Sequence, residues 1–357
     1  MSTMIALVSN QRMQNVIPVL QIGSDFDKVW LVRSTDADLP NSRFALAWQD
    51  TENTLRTELK LEVHSAEPSV GAYGIAETQR LITDLINKES QDNIVVNFTG
   101  GTKCMSVGAY LAAQNTHMAA LYVDTANEKL VWFSGEQRQE EKFNLTGKLT
   151  VPVYFRANGK QIAIKRTQQY ILSEEAYAAA RELATVWPQC LNTIETFGGA
   201  ISRGQSEIES SSVDDKIVEI LTKHRLVFPA GTGWKASAQG RAFLTGKWLD
   251  VLVHVLLEDS KNFDDVKSDL RLEGVENELD VLATYNGQLA IIECKSGDIG
   301  GQTTLNKLQA IRTGFGTFAR TFFVTSRQEN EIDHNFQERA KDYGIRKIIT
   351  AESLLQV

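Results

Sequence analysis

Short apolar runs recur along the first third of the chain, at residues 4–9 (MIALVS), 28–34 (KVWLVRS), 59–65 (LKLEVHS), 93–99 (NIVVNFT) and 119–125 (AALYVDT). They read as buried strands. Between them, apolar residues return at helical spacing, most clearly in GAYGIAETQRLITDLINKES and KCMSVGAYLAAQN. Continuous apolar strands alternating with helices predict a mostly parallel sheet covered on both faces. Residues 129–135 (KLVWFSG) predict a late antiparallel strand, and the whole predicts a Rossmann-like domain over residues 1–150.

The helix SEEAYAAARELATVW follows, and residues 151–205 are expected to form a helical linker. From 188 to 212 the pattern loosens, with Gly198, Gly199, Gly204 and the run Ser210, Ser211, Ser212, so a boundary is expected there. Residues 206–357 then predict helices in VDDKIVEILTKHRLV and ASAQGRAFLTGKWLDVLVHVLLEDS, a hairpin, and a helix–strand–helix–strand series. The fold class is α/β in both halves.

A length of 357 residues with 42% apolar and 23% charged positions fits two soluble domains. No run of about 18 apolar residues occurs, so no membrane partner and a cytoplasmic location are expected. Cys104, Cys190 and Cys294 form no CxxC pair, and the histidines show no HExxH spacing, which argues against disulfide and zinc frameworks. A net charge of −8 argues against a chain that binds nucleic acid over its whole surface. It leaves room for a local basic groove in the last third, where Lys295, Lys307, Arg312, Arg320 and Arg327 cluster with others.

The hairpin lies in ENELDVLATYNGQLAIIECKSG, residues 276–297. Its Asn286-Gly287 pair predicts a two-residue type I′ turn, and such a turn sets the register. On one face Leu279, Val281, Ala283, Ala290, Ile292 and Cys294 are wholly apolar and belong in a core. On the other, Asp280 falls opposite Glu293 and Glu278 opposite Lys295. Like charges directly opposite repel, which pushes one carboxyl toward protonation unless a cation intervenes. A divalent cation answers this, since hard cations take carboxylate oxygens. An Asp, a Glu-x-Lys and a metal make a phosphodiester-cleaving arrangement, in which Lys295 positions water or offsets phosphate charge. The plainer alternative is a solvated strand face with Glu278 paired to Lys295. Asp250, inside GKWLDVLVHVLL, is either a further metal ligand or a helix-start carboxylate or partner for His254.

A second constellation is VVNFTGGTKCMSVGAY. Gly100 and Gly101 permit a tight turn and close approach of a ligand, while Thr99, Thr102 and Lys103 add hydroxyls and a cation at a helix N-terminus that favours anions. The spacing matches neither a P-loop nor GxGxxG, which argues against ATP hydrolysis and NAD binding. Ser9, Asn10 and Gln11 form a second polar loop after the first strand, and both loops are expected at the carboxyl ends of strands, where ligands bind.

Taken together, SNQRMQN and NFTGGTKCMSVGAY resemble the CARF domain, the ligand sensor of type III CRISPR systems, and FLTGKWLDVLV, ENELDVL and AIIECKSG resemble a PD-(D/E)xK restriction-endonuclease-like domain. The combination is similar to the CRISPR ancillary nucleases activated by cyclic oligoadenylate, particularly the cyclic tetra-adenylate group. The resemblance implies a homodimer sharing one activator and a metal-dependent nuclease cutting DNA, RNA or both. It implies Asp280 and Glu293 as Mn²⁺ or Mg²⁺ ligands and Lys295 as the catalytic lysine, with Ser9, Asn10, Gln11 and Thr99–Lys103 contacting the activator. Asp250 stands where these nucleases usually carry the Glu of a GxWLE pattern, and its shorter side chain reaches less far. Two alternatives are a nucleotide-sensing module with an inactive nuclease half and a constitutive restriction or repair nuclease.

Overall fold

In the computed structural model, which describes residues 2–23, 26–89, 93–145, 148–163, 172–205, 207–209, 213–273, 278–299 and 301–356, the apolar runs become strands with narrower bounds. They are β1 (Ser2–Leu7), β2 (Phe26–Val32), β3 (Glu62–Ser65), β4 (Ile94–Asn97) and β5 (Ala119–Asp124). The antiparallel β6 (Lys129–Ser134) follows, then β7 (Gln137–Lys142). β7 is exposed along its whole length, so no hydrophobic pattern announced it. The sheet runs β3-β2-β1-β4-β5-β6-β7, with the first five strands parallel. Both faces are covered: one core gathers Ile5, Leu7, Ile82 and Val96, the other Met4, Ala6, Leu31 and Leu55. The order reverses direction at β1 and β4, the place where a doubly wound sheet opens a crevice at its carboxyl edge.

By internal contacts the chain forms two compact units, Met1–Gln161 with Thr284–Gly287, and Ile162–Ala283 with Gln288–Val357. The stretch expected as a linker is helical at Val151–Ala157, Glu174–Ala184 and Leu191–Ser202. The latter two helices contribute Ala180, Leu183, Ile194 and Phe197 to the core of the second unit. Gly198 and Gly199 therefore mark no loosening: Gly198 lies inside the third helix, where a side chain would meet the Leu244 backbone. Close helix approach, not a loop, explains that glycine. Ser210, Ser211 and Ser212 lie outside the described residues.

The second unit has a small sheet, β8 (Ile208–Glu209), β9 (Val227–Ala230) and β10 (Gly233–Ala236), in the order β8-β10-β9. Its main sheet runs in sequence through β11 (Asp265–Arg271), β12 (Glu278–Tyr285), β13 (Gln288–Lys295), β14 (Ala319–Thr325) and β15 (Ile345–Ile349). β13, β14 and β15 are parallel. Their crossovers carry the helices Gly301–Thr313 and His334–Asp342. β11 was not predicted, because DVKSDLR carries twice as many charges as apolar residues. The helix Trp248–Ser260 buries Leu249, Leu252, Val253 and Val255 in the same core as Val281, Ala283, Ile292 and Cys294 of the hairpin. Each such aliphatic side chain contributes roughly 1.5–3 kcal/mol by burial. That packing fixes the helix start, and with it Asp250, on the sheet.

Candidate functional site

Only Asn286 and Gly287 separate β12 from β13, with φ of 43° and 79°. Two consecutive left-handed residues are what a type I′ turn requires. The apolar face lies in the core as expected. The carboxylate pair of the polar face is buried too: Asp280 is 8% exposed and Glu293 3%, and Asp250 on the helix Trp248–Ser260 is 5% exposed. The solvated-face alternative therefore fails.

Glu278 does not take Lys295. Its carboxylate accepts from Lys247 Nζ at 2.6 Å and Arg271 Nη2 at 2.9 Å. Lys295 Nζ is left 2.7 Å from Glu293 Oε1 and 3.9 Å from Asp280 Oδ2, a single ammonium addressing both carboxylates. Burial pulls the Lys295 pKa down, but Asp280 and Glu293 outweigh it and hold the ammonium charged. Asp280 Oδ2 also accepts from the Cys294 backbone N–H at 2.8 Å.

Burial, and then the Glu293 charge, pushes Asp280 up to about 6, against the pull of Lys295. The unfolded carboxyl titrates near 3.9. The folded chain therefore binds more protons between about pH 4 and 6, and stability falls as pH rises through that window. Asp269, likewise pushed up to about 6 by burial, acts with the same sign. Asp280→Asn is thus expected to raise the thermal midpoint at pH 7.5 by about 2–4 °C, and to flatten its dependence on pH between 5 and 7.5. Calorimetry at both pH values checks this. A lower midpoint for the variant at pH 7.5 refutes it.

Asp250 does not pair with His254. Its Oδ2 accepts from Lys247 Nζ at 3.2 Å, and burial followed by the Asp280 charge drives its carboxyl well above the ordinary range. Lys247 also reaches Asp269 Oδ1 at 2.5 Å. Neither Lys247 nor Asp269 was singled out from the sequence. Asp269 sits at φ 56° in β11, with its carboxyl against that of Glu278. Lys307, on the helix Gly301–Thr313, donates to both oxygens of Glu293 at 3.1 and 2.9 Å. It was expected only as part of a basic groove. Of the other cations in that set, Arg312, Arg320 and Arg327 donate to the backbone carbonyls of Gly344, Thr317 and Gly297.

Among the described residues, no three Asp, Glu, His or Cys side chains stand ready to hold a metal ion. Lysines occupy the carboxylates instead. The donor set still suits a hard divalent cation: burial and the neighbouring carboxylate raise the pKa of Asp250 and Asp280 despite their lysines, and carboxylate oxygens are what Mg²⁺ takes.

In the first unit the two predicted loops come together. Gly101 N–H donates to Val8 O at 3.1 Å, and a side chain at Gly100 would collide with the carbonyl oxygen of Leu7. Beneath them lies a buried pair that sequence reading missed: Asn97 Nδ2 donates to Asn15 Oδ1 at 3.1 Å, and Asn15 Nδ2 to Leu7 O at 3.0 Å. Two of the expected ligand hydroxyls serve the fold. Thr99 Oγ1 donates to Asn97 Oδ1 and accepts from Val123 N–H, and Thr102 Oγ1 caps its helix through Met105 N–H and donates to Ala72 O. Ser9 Oγ accepts from Gln11 N–H at 3.2 Å, and Gln11 Oε1 accepts from Gln14 Nε2. Asn10 and Lys103 are exposed beside these loops, and Lys103 makes no hydrogen bond or ion pair among the described residues.

Residues 3–154 match the family model of the Card1 CARF domain, and residues 237–355 that of the Card1-like endonuclease domain. Among curated proteins no match was found. Protein VC1899 from Vibrio cholerae is similar in structure, with TM-score 0.72 and 19% identity over 99% of this chain and 95% of that one. Can2 from Sulfobacillus thermosulfidooxidans, solved with cyclic tetra-adenylate, has TM-score 0.71 and 21% identity, covering 99% and 95%. A type III CRISPR defence DNA nuclease activated by cyclic oligoadenylate has TM-score 0.58 and 17% identity, covering 91% of this chain and 45% of that one.

Proposed function

Because the chain joins a Card1-type CARF domain to a Card1-like endonuclease domain, a CARF–nuclease ancillary protein, we propose that it is a nuclease switched on by cyclic oligoadenylate in type III CRISPR defence. One observation carries the reading: the two family matches stand in one chain, sensor first. Cyclic tetra-adenylate is the proposed activator, in keeping with the structural relative solved with that ligand. Ser9, Asn10, Gln11 and Thr99–Lys103 are proposed to line its site, with the exposed Lys103 as a cation for phosphate and the backbone at Gly100 and Gly101 as the close-approach surface.

Asp280 and Glu293 would hold Mn²⁺ or Mg²⁺, with Asp250 as a further ligand once Lys247 yields it. The metal, when bound, polarises the phosphate and lowers the pKa of a bound water. Lys295 holds Glu293 in place and directs its ammonium at charge developing on the phosphate, in a pocket whose burial strengthens that attraction. A homodimer has support in the first unit: the helix Lys103–Asn115 exposes Val107 and Leu111, and Tyr73 and Ile75 are exposed at the start of the helix Ile75–Lys88.

The test is cleavage of DNA and RNA with Mn²⁺ against cyclic tri-, tetra- and hexa-adenylate. Cutting only with one ring size is expected; cutting without any activator favours a constitutive nuclease and sinks the gated reading. Lys103→Ala is expected to raise the activator concentration at half-maximal rate about tenfold, the value of one charge-assisted contact, with the saturated rate unchanged. An unshifted titration removes Lys103 from the sensor.

A further inference from the structure

We propose that Lys307 is a second lysine of the nuclease site, one that holds Glu293 until a metal arrives and then turns to the phosphate; this rests on the nuclease reading above. Glu293 is nearly fully buried, yet two ammonium groups address it. Lys295 takes Oε1 at 2.7 Å, while Lys307 spans both oxygens at 2.9 and 3.1 Å. Spanning both oxygens means that Lys307 covers the edge of the carboxylate that a cation would use. A metal on Glu293 therefore competes with Lys307 directly, whereas Lys295 also has Asp280 within 3.9 Å to stay with.

The charge count shows where Lys307 goes. Asp250, Asp280 and Glu293 carry three negative charges; a divalent ion and two ammoniums carry four positive ones. The excess of one makes the loaded site attract an anion, and a phosphodiester is the anion a nuclease meets. Lys307 hangs from the helix Gly301–Thr313 with its side chain 23% exposed, so its ammonium has solvent on one side and a flexible stem to move on. Lysine does this better than arginine would, because it is a compact charge with no fixed fork binding it to the carboxylate.

The experiment measures Mn²⁺ binding by electron paramagnetic resonance, together with activator-saturated kcat and KM, for the full-length protein, Lys307→Ala and Lys307→Arg. Removing the competitor is expected to tighten Mn²⁺ binding in Lys307→Ala by up to about fivefold, the value of a partly exposed ion pair. Removing a phosphate contact is expected to lower kcat by about 10²-fold with a smaller change in KM. Lys307→Arg is expected to recover only part of kcat, because its fork holds the carboxylate bidentately. Opposite signs for metal affinity and turnover are the signature, since a merely structural lysine would weaken both. Weaker Mn²⁺ binding in Lys307→Ala, or an unchanged kcat, overturns the inference while leaving the nuclease reading intact. A wild-type protein that never cuts removes the nuclease reading, and the Mn²⁺ titration still decides whether Lys307 guards Glu293.

Discussion

Glu293→Ala is expected to abolish activator-dependent cleavage, by at least about 10³-fold, while cyclic tetra-adenylate binding is unchanged. Glu293 is the most enclosed of the three carboxylates proposed as metal ligands, and both Lys295 and Lys307 depend on it for charge balance. Deleting it removes a proposed ligand and sets two ammoniums against each other. The stability loss stays below the ~3–5 kcal/mol of breaking a fully buried pair, because both lysines reach solvent and can rehydrate. Gel assays of DNA and RNA cleavage, paired with calorimetric titration of the activator, separate the two functions. A variant that still cuts at the wild-type rate removes Glu293 from the site, and with it the role given to Lys307.

The second large effect is expected at the sensor. Gly100→Ala places a methyl group against the Leu7 carbonyl, with the carbonyl carbon 2.9 Å away. Leu7 ends β1, which is paired to β2 on one side and β4 on the other, so that backbone has little room to yield. The loop at 98–102 must move instead, away from the loop that carries Ser9, Asn10 and Gln11. Overpacking of this kind costs about 1–3 kcal/mol, and activator affinity is expected to fall by at least about tenfold, since a misplaced contact surface loses most of its binding. Lys103→Ala differs, because it removes charge without moving the loop. Titration calorimetry with cyclic tetra-adenylate compares the two. Wild-type affinity in Gly100→Ala means that the activator does not sit against this turn.

β1, β2, β4 and β5 of the first sheet were legible because each lies in a continuous apolar run, and burial on both faces writes itself into composition without any need for context. The hairpin was legible for a different reason: Asn286 and Gly287 admit left-handed backbone, and a two-residue turn leaves a single register. That register alone sets Asp280 against Glu293. β7 and β11 were not legible, since one is exposed throughout and the other is charged at alternate positions. Gly198 misled because glycine in a tight helix crossing looks the same in sequence as glycine in a loop.

What the sequence determined by itself was therefore local: strand content, the turn, the GGTK bend and the Glu-x-Lys pair two residues apart. Only the tertiary structure decided who partners whom. Lys247, three residues from Asp250, gathers Asp250, Asp269 and Glu278, residues up to 31 positions away from it, and so releases Lys295 to Glu293 and Asp280. Lys307 reaches Glu293 only because the crossover from β13 to β14 lays its helix beside the carboxylate. Ion pairs form between groups brought within a few ångströms, and the chain distance between such groups carries no record of it. The charges were readable one by one, but their balance belongs to the fold.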